Sequence, residues 1–177
     1  MNKYLLDVYN PFKVEFLYGK GSTLFDKKGN DYIDFTSGIG VSCLGHGNKK
    51  LVETISKQAK KFLHLSNIYP INTQEECAKK VAALSGYKNM QGFFCNSGAE
   101  ANETAIKFIR KYAKSKGIKK HNIITLENSF HGRTIATLNA TGQKDKQLGF
   151  EPFPNEFIYS KNLEDKKNKI DKNSVAV

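Results

Sequence analysis

Arginine is nearly missing from this chain: against 26 lysines there are two, Arg110 and Arg133. Cysteine is almost as sparse. Cys43, Cys77 and Cys95 are odd in number, widely spaced and without a C-x-x-C pair, so neither a disulfide framework nor a zinc site is indicated. His46, His64, His121 and His131 show no metal-ligand spacing. No run approaches the roughly 18–20 apolar residues that span a bilayer. Met1 to Phe12 also lacks the continuous apolar core of a signal peptide. These absences favour a cytoplasmic protein with no metal and no membrane partner.

The rest of the composition, 39% hydrophobic and 25% charged over 177 residues, suits one soluble globular body. A net charge of +11 raises the question of nucleic acid. The lysines, however, are spread over surface-like segments such as Lys57 to Lys61, Lys111 to Lys120 and Lys161 to Lys172. The aromatic residues sit in apolar runs and do not interleave with the basic clusters, as a base-stacking surface requires. A solvated lysine face is the expectation, with no nucleic-acid partner.

Along the chain, Lys27-Lys28-Gly29-Asn30 reads as a hairpin turn between Leu24-Phe25 and Tyr32–Phe35. A Gly-rich loop follows, from Ser37-Gly38-Ile39-Gly40 through Gly45-His46-Gly47. A helix carrying Leu51, Val52, Ile55, Ala59, Phe62 and Leu63 comes next. Another starts at Asn72-Thr73 and stops at Gly86. After Gly92 the rhythm becomes strand, turn, helix, strand, which predicts parallel strands joined by helical crossovers, an α/β fold. The helix after Gly98 is expected to bury Ala101, Ala105, Phe108, Ile109 and Tyr112 and to end at Gly117. Ile123–Leu126 is the next strand, Lys161–Lys172 an exposed helix, and Ser174–Val177 the opening of a buried strand. A domain that ended inside such a strand would expose an unpaired edge, so a longer chain is expected.

Two loops carry the chemistry. The apolar run Gly92-Phe93-Phe94 reads as a strand entering the turn Cys95-Asn96-Ser97-Gly98-Ala99, which opens the long helix. A tight turn at a helix start aims backbone N–H groups and the positive end of the helix dipole at one spot, a place for an anion. Asn96 or Ser97 is the cap, and Gly98 and Ala99 let a phosphate come close to the backbone. The plainer alternative is a capped helix with no ligand. The second loop, Glu127 to Thr134, follows the Ile123–Leu126 strand and offers Phe130, His131, Gly132 and Arg133. In so lysine-rich a chain, an arginine there suggests a fork for a planar carboxylate or phosphate. Arg110 reads as a surface charge, and His131 as a residue that shapes its loop. Gly38-x-Gly40 lacks a dinucleotide fingerprint's third glycine, and Gly19–Ser22 lacks a P-loop's context.

Together these motifs resemble the class III aminotransferases, pyridoxal-phosphate enzymes of fold type I. The resemblance covers essentially the whole chain: Asp26–Phe35, Gly38–Val41, Leu44–Gly47, Asn96–Glu103 and Phe130–Thr134. It implies an N-terminal small-domain segment with substrate-channel loops over residues 1–69, crossing at Tyr69-Pro70 into the first part of a mainly parallel-sheet, cofactor-binding large domain over 70–177. It also implies pyridoxal 5′-phosphate as cofactor, with Ser97, Gly98 and Ala99 on the phosphate, Phe130 stacked on the pyridine ring and Arg133 on a substrate carboxylate. Many relatives have Thr at the position of Ala99, so a hydroxyl contact is absent here. Glu100 and Glu103 fit the motif as helix-start charges, and the Ser37–Val41 loop would border the substrate channel.

Within the class, His64–Tyr69 and Phe130–Arg133 look most like the members acting on N2-acetyl-L-ornithine with 2-oxoglutarate in arginine biosynthesis. Donors left open are ornithine, 4-aminobutyrate and succinyldiaminopimelate. None of the 26 lysines stands in the context of the imine lysine, which is expected beyond Val177, so no catalytic residue is assigned within this segment. The resemblance further implies a homodimer. A rival of another class is a non-catalytic module binding a phosphorylated ligand or nucleic acid.

Overall fold

The computed structural model describes residues 4–87 and 89–177 of the chain. It divides into two compact units, one ending at Asn72 and the other running from Thr73 to Val177.

The first unit is built on an antiparallel meander of β1 (Phe16–Lys20), β2 (Thr23–Asp26) and β3 (Asp31–Ile33). Asp26 makes the β2–β3 turn. Its carboxylate accepts from the Lys28 and Asn30 backbone N–H groups (2.8 and 2.9 Å), the Asn30 amide (2.9 Å) and the Tyr32 hydroxyl (3.1 Å). Gly29 takes the left-handed conformation (φ 84°) that this turn needs. Gly21-Ser22 is the turn between β1 and β2.

After β3 the chain makes a one-turn element, α1 (Ser37–Gly40), in which all four residues have positive φ, from 48° to 81°. Ile39 is β-branched and therefore strained there. Asp34 holds this turn: its Oδ1 accepts from the Ser37 N–H and the Thr36 hydroxyl, both at 2.8 Å, while its Oδ2 pairs with His46 Nε2 at 2.8 Å. His46 is fixed in turn by a two-bond backbone bridge with Gly21. α2 (Lys49–Ala59) follows, capped by Asn48, whose Oδ1 accepts the Leu51 N–H at 3.1 Å. It ends one turn earlier than the apolar spacing suggested, leaving Phe62 and Leu63 outside.

The second unit opens with α3 (Asn72–Ser85), stopped by Gly86 at φ 72°. The 18-residue α4 (Gly98–Ser115) leads into β4 (Asn122–Leu126). Two short helices, α5 (Ile135–Ala140) and α6 (Lys144–Gln147), precede β5 (Phe157–Ser160). α7 (Leu163–Lys169) then leads to β6 (Ser174–Ala176). The sheet order is β5-β4-β6, with both pairs parallel. As the central strand, β4 buries Ile123, Ile124 and Thr125 in succession, the continuous run that a strand covered on both faces requires. Ile106 and Ala113 of α4 and Leu138 and Ala140 of α5 complete the core.

Three sequence expectations are corrected. Gly92–Phe94 joins no strand ladder among the described residues, so the turn after it is held by side chains of α4. α4 buries Ile106 and Ala113, with Asn102 and Ile109 half-buried beside them; of the expected face only Ile109 is partly covered, and Ala101, Ala105, Phe108 and Tyr112 are exposed. Arg110 is no idle charge: its Nε and Nη2 both bond the carboxylate of Glu156, tying α4 to the residue before β5. None of the described helices is long and apolar enough to cross a membrane.

Candidate active site

Ser97 starts α4 from an extended backbone (φ −152°), and its hydroxyl accepts the Glu100 N–H at 3.2 Å. Glu100 reaches back, its carboxylate accepting from the Asn96 backbone N–H (2.5 Å) and side-chain amide (3.2 Å). This is a capping box shifted by one residue. The Asn96 backbone N–H, then its side chain, hold the Glu100 carboxyl below its usual range. The N–H groups of Gly98 and Ala99, in the first turn, have no intrahelical acceptor. A methyl group on Gly98 would meet nothing within 4 Å, so the approach to these donors is open.

The second loop leaves β4 at Leu126 and doubles back at Asn128 (φ 60°). Its support is the segment Thr141-Gly142-Gln143. The Asn128 N–H donates to the Gly142 carbonyl at 2.8 Å. Any side chain on Gly142 would strike the Leu126 carbonyl and the Glu127 Cα, so this approach needs glycine. The fully buried Thr141 hydroxyl accepts the His131 N–H at 3.0 Å and donates to the Thr137 carbonyl at 2.9 Å. The Gln143 amide donates to the Ser129 carbonyl at 3.0 Å. His131 Nδ1 lies 3.2 Å from the Ser129 hydroxyl, and burial pushes its imidazole below the ordinary value. A neutral, half-buried ring fits a residue that shapes its loop.

This scaffold presents Phe130, 62% exposed, and the exposed Arg133. The guanidinium lies over the Phe130 ring, 4.7 Å from its centroid, a cation–π geometry. Among the described residues no carboxylate pairs with Arg133. The face it does not cover leaves Phe130 open to a second flat group.

Both loops meet at α4. A methyl group on Gly132 would stand 2.9 Å from the Ala99 Cβ and 2.5 Å from Thr137 Oγ1, so the Gly132 backbone lies directly against Ala99. The Asn102 amide donates to the His131 carbonyl at 2.7 Å, and the Thr134 hydroxyl donates to Glu103. The turn Ser97-Gly98-Ala99 and the loop that carries Phe130 and Arg133 are thus neighbours, joined through Ala99 and Gly132. The sequence reading missed Asn102, Thr137, Thr141 and Gln143. The Ser97-x-x-Glu100 and Thr134-x-x-Thr137 boxes were the local signals available; the contacts of Asn102, Thr141 and Gln143 with the loop join residues farther apart in the chain.

A family model, Aminotransferase class-III, matches residues 7–176. The chain belongs to the class III aminotransferases. It is 50% identical over 177 residues to the acetylornithine aminotransferase of Wolinella succinogenes, a match covering 99% of this chain and 45% of that protein. It is 47% identical over 158 residues to the acetylornithine aminotransferase of Aquifex aeolicus, covering 89% and 42%. The chain therefore spans less than half the length of these relatives. Among solved structures, the ornithine aminotransferase of Toxoplasma gondii superposes with a TM-score of 0.88 at 27% identity, over 98% of this chain and 42% of that one. A Bacillus anthracis aminotransferase does so with a TM-score of 0.82 at 30% identity, over 90% and 36%. These neighbours share the fold, a fold type I α/β architecture.

Proposed function

We propose that the protein containing this segment is a pyridoxal-phosphate-dependent transaminase that moves the terminal amino group of N2-acetyl-L-ornithine to 2-oxoglutarate in arginine biosynthesis. The observation that carries the reading is the packing of Gly132 against Ala99, which sets the Ser97–Ala99 turn beside Phe130 and Arg133. The residues fit the cofactor. The turn offers two N–H groups without intrahelical acceptors and open space over Gly98. The nearby Glu100 carboxylate is turned back onto Asn96 and does not face that space as a free charge.

In this reading the backbone N–H groups of Gly98 and Ala99, with Ser97, hold the phosphate at the positive end of α4. Phe130 covers one face of the pyridine ring and keeps water from it. Pyridoxal phosphate, when bound, supplies the electron sink for amino-group transfer. Arg133 leaves the Phe130 ring to grip a carboxylate, that of the amino donor in one half-reaction and of 2-oxoglutarate in the other, by a two-pronged bond. The reading places the cofactor-bearing lysine outside residues 1–177, makes residues 1–69 the small-domain segment and 70–177 the start of the cofactor-binding domain, and takes the enzyme as a cytoplasmic homodimer.

Ornithine is the competing donor, favoured by the likeness to the Toxoplasma structure; the higher identity to the two acetylornithine relatives outweighs it. Steady-state rates of the whole protein decide between them. N2-acetylornithine should exceed ornithine, 4-aminobutyrate and succinyldiaminopimelate in kcat/KM by about tenfold or more, as expected where a site accommodates one group and excludes another. A preference for any of the other three would replace the donor named here.

A further inference from the structure

One face of α4 carries Ala99, Asn102, Glu103 and Ile106, whose spacings of three and four set them above one another. Ile106 is buried in the core and fixes the face. The three residues above it all reach the Phe130 loop: Ala99 against Gly132, Asn102 to the His131 carbonyl, Glu103 to the Thr134 hydroxyl. Of these three contacts from α4, only the Asn102 bond is a directional hold on the backbone between Phe130 and Arg133. Asn102 also stands about one helical turn, roughly 5.4 Å along the axis, from the N–H groups of Gly98 and Ala99. Asn102 therefore ties the start of α4 to the backbone that carries the aromatic ring.

We infer that Asn102 is a positioning residue that sets the distance between the Ser97–Ala99 turn and the Phe130 ring, giving the site its selectivity for a ring-borne phosphate ester over bare phosphate. This rests on the cofactor reading proposed above. The loop has supports that do not involve Asn102: His131 N–H to Thr141 at 3.0 Å, Thr134 N–H to Thr137 at 3.1 Å, and Asn128 N–H to Gly142 at 2.8 Å. Removing the amide leaves both loops folded and loosens the spacing between them, which the Ala99–Gly132 contact limits only at close approach. Bare phosphate uses the turn alone; a phosphate carried on a flat ring needs both loops at one separation.

The test compares the whole wild-type protein, stripped of its cofactor, with Asn102→Leu treated alike, a change that keeps the size and loses the N–H donors. Each is titrated calorimetrically with inorganic phosphate and with pyridoxine 5′-phosphate. The latter has the ring and the ester but no aldehyde, so its binding is read without turnover or covalent attachment. Pyridoxine phosphate should weaken by roughly five- to tenfold, the worth of one directional hydrogen bond. Phosphate affinity should stay within about twofold, which also reports that the turn remains folded. Equal loss of both ligands would make Asn102 a plain structural residue, and no loss of either would remove its role. Wild-type protein that binds pyridoxine phosphate no better than phosphate would sink the ring-stacking reading itself, a failure visible before any substitution.

Discussion

Asp34 shows how much a single carboxylate organises. It receives the Ser37 N–H, the Thr36 hydroxyl and His46 Nε2, and its side chain is only 7% exposed. The His46 bond, then the Ser37 N–H, draw its carboxyl from 3.8 down to about 2. A lowered folded-state value means that the unfolded chain binds the proton more readily, so stability rises with pH across that window. Asp34's contribution is fully present above its unfolded value near 3.8 and is lost as pH falls through about 2. Asp34→Asn should therefore be less stable than wild type in urea unfolding between pH 5 and 7, with the gap closing toward pH 2. A gap that does not change with pH would show that the charge is irrelevant to the turn. The residues this pair holds include Ile39, 96% exposed in a left-handed conformation. Strain of that kind persists only where its surroundings enforce it.

At the scale of elements, α4 joins what was legible to what was not. Its ends are local chemistry: a capping serine with a glutamate three residues on, and Gly117 at φ 69° to stop it. Both could be read directly. Ser97→Ala should lower the unfolding free energy of the cofactor-free protein by about 1 kcal/mol, and Ser97→Gly by only a few tenths, since glycine leaves the first turn open to water. Equal losses in thermal melts would mean that the hydroxyl does not cap. The buried face was harder. The apolar residues of α4 form two adjacent stripes, and the spacing of Ala101, Ala105, Phe108, Ile109 and Tyr112 reads as a face as well as that of Ile106 and Ala113 does. The structure turns Ile106 and Ala113 inward, and on that side Asn102 meets the His131 carbonyl, a partner 29 residues away. Arg110 and Glu156, 46 residues apart, were invisible for the same reason. Turns and caps are written within four or five residues, and the hairpin at Asp26–Asn30 and the strand β4 were legible for that reason. The scaffold beneath Phe130 is written partly in the local Thr134–Thr137 box and partly in Thr141 and Gly142, whose partners His131 and Asn128 come together with them only after folding.

For the chain as a whole, the surplus of positive charge poses the last question. A net +11 would serve a nucleic-acid binder, but the way it is distributed argues otherwise. Sequence readers grip bases and phosphates with forked guanidinium groups. Both arginines here are engaged, Arg110 with Glu156 and Arg133 over Phe130. Several lysines are paired locally, Lys27 with Glu15, Lys146 with Asp145 and Lys169 with Asp165. What remains is a diffuse positive field, which concentrates small anions near the surface without fixing a polymer in register. A phosphate ester and a dicarboxylate oxo acid, the ligands of the proposed reaction, are such anions. Fluorescence anisotropy of the whole protein with a labelled 20-nucleotide single strand at 150 mM salt should give a Kd in the non-specific range, about 10⁻⁴ to 10⁻⁶ M, rising with salt and indifferent to base composition. Submicromolar binding with a base preference would instead make the lysine surface a second functional face and revive the binding-module reading.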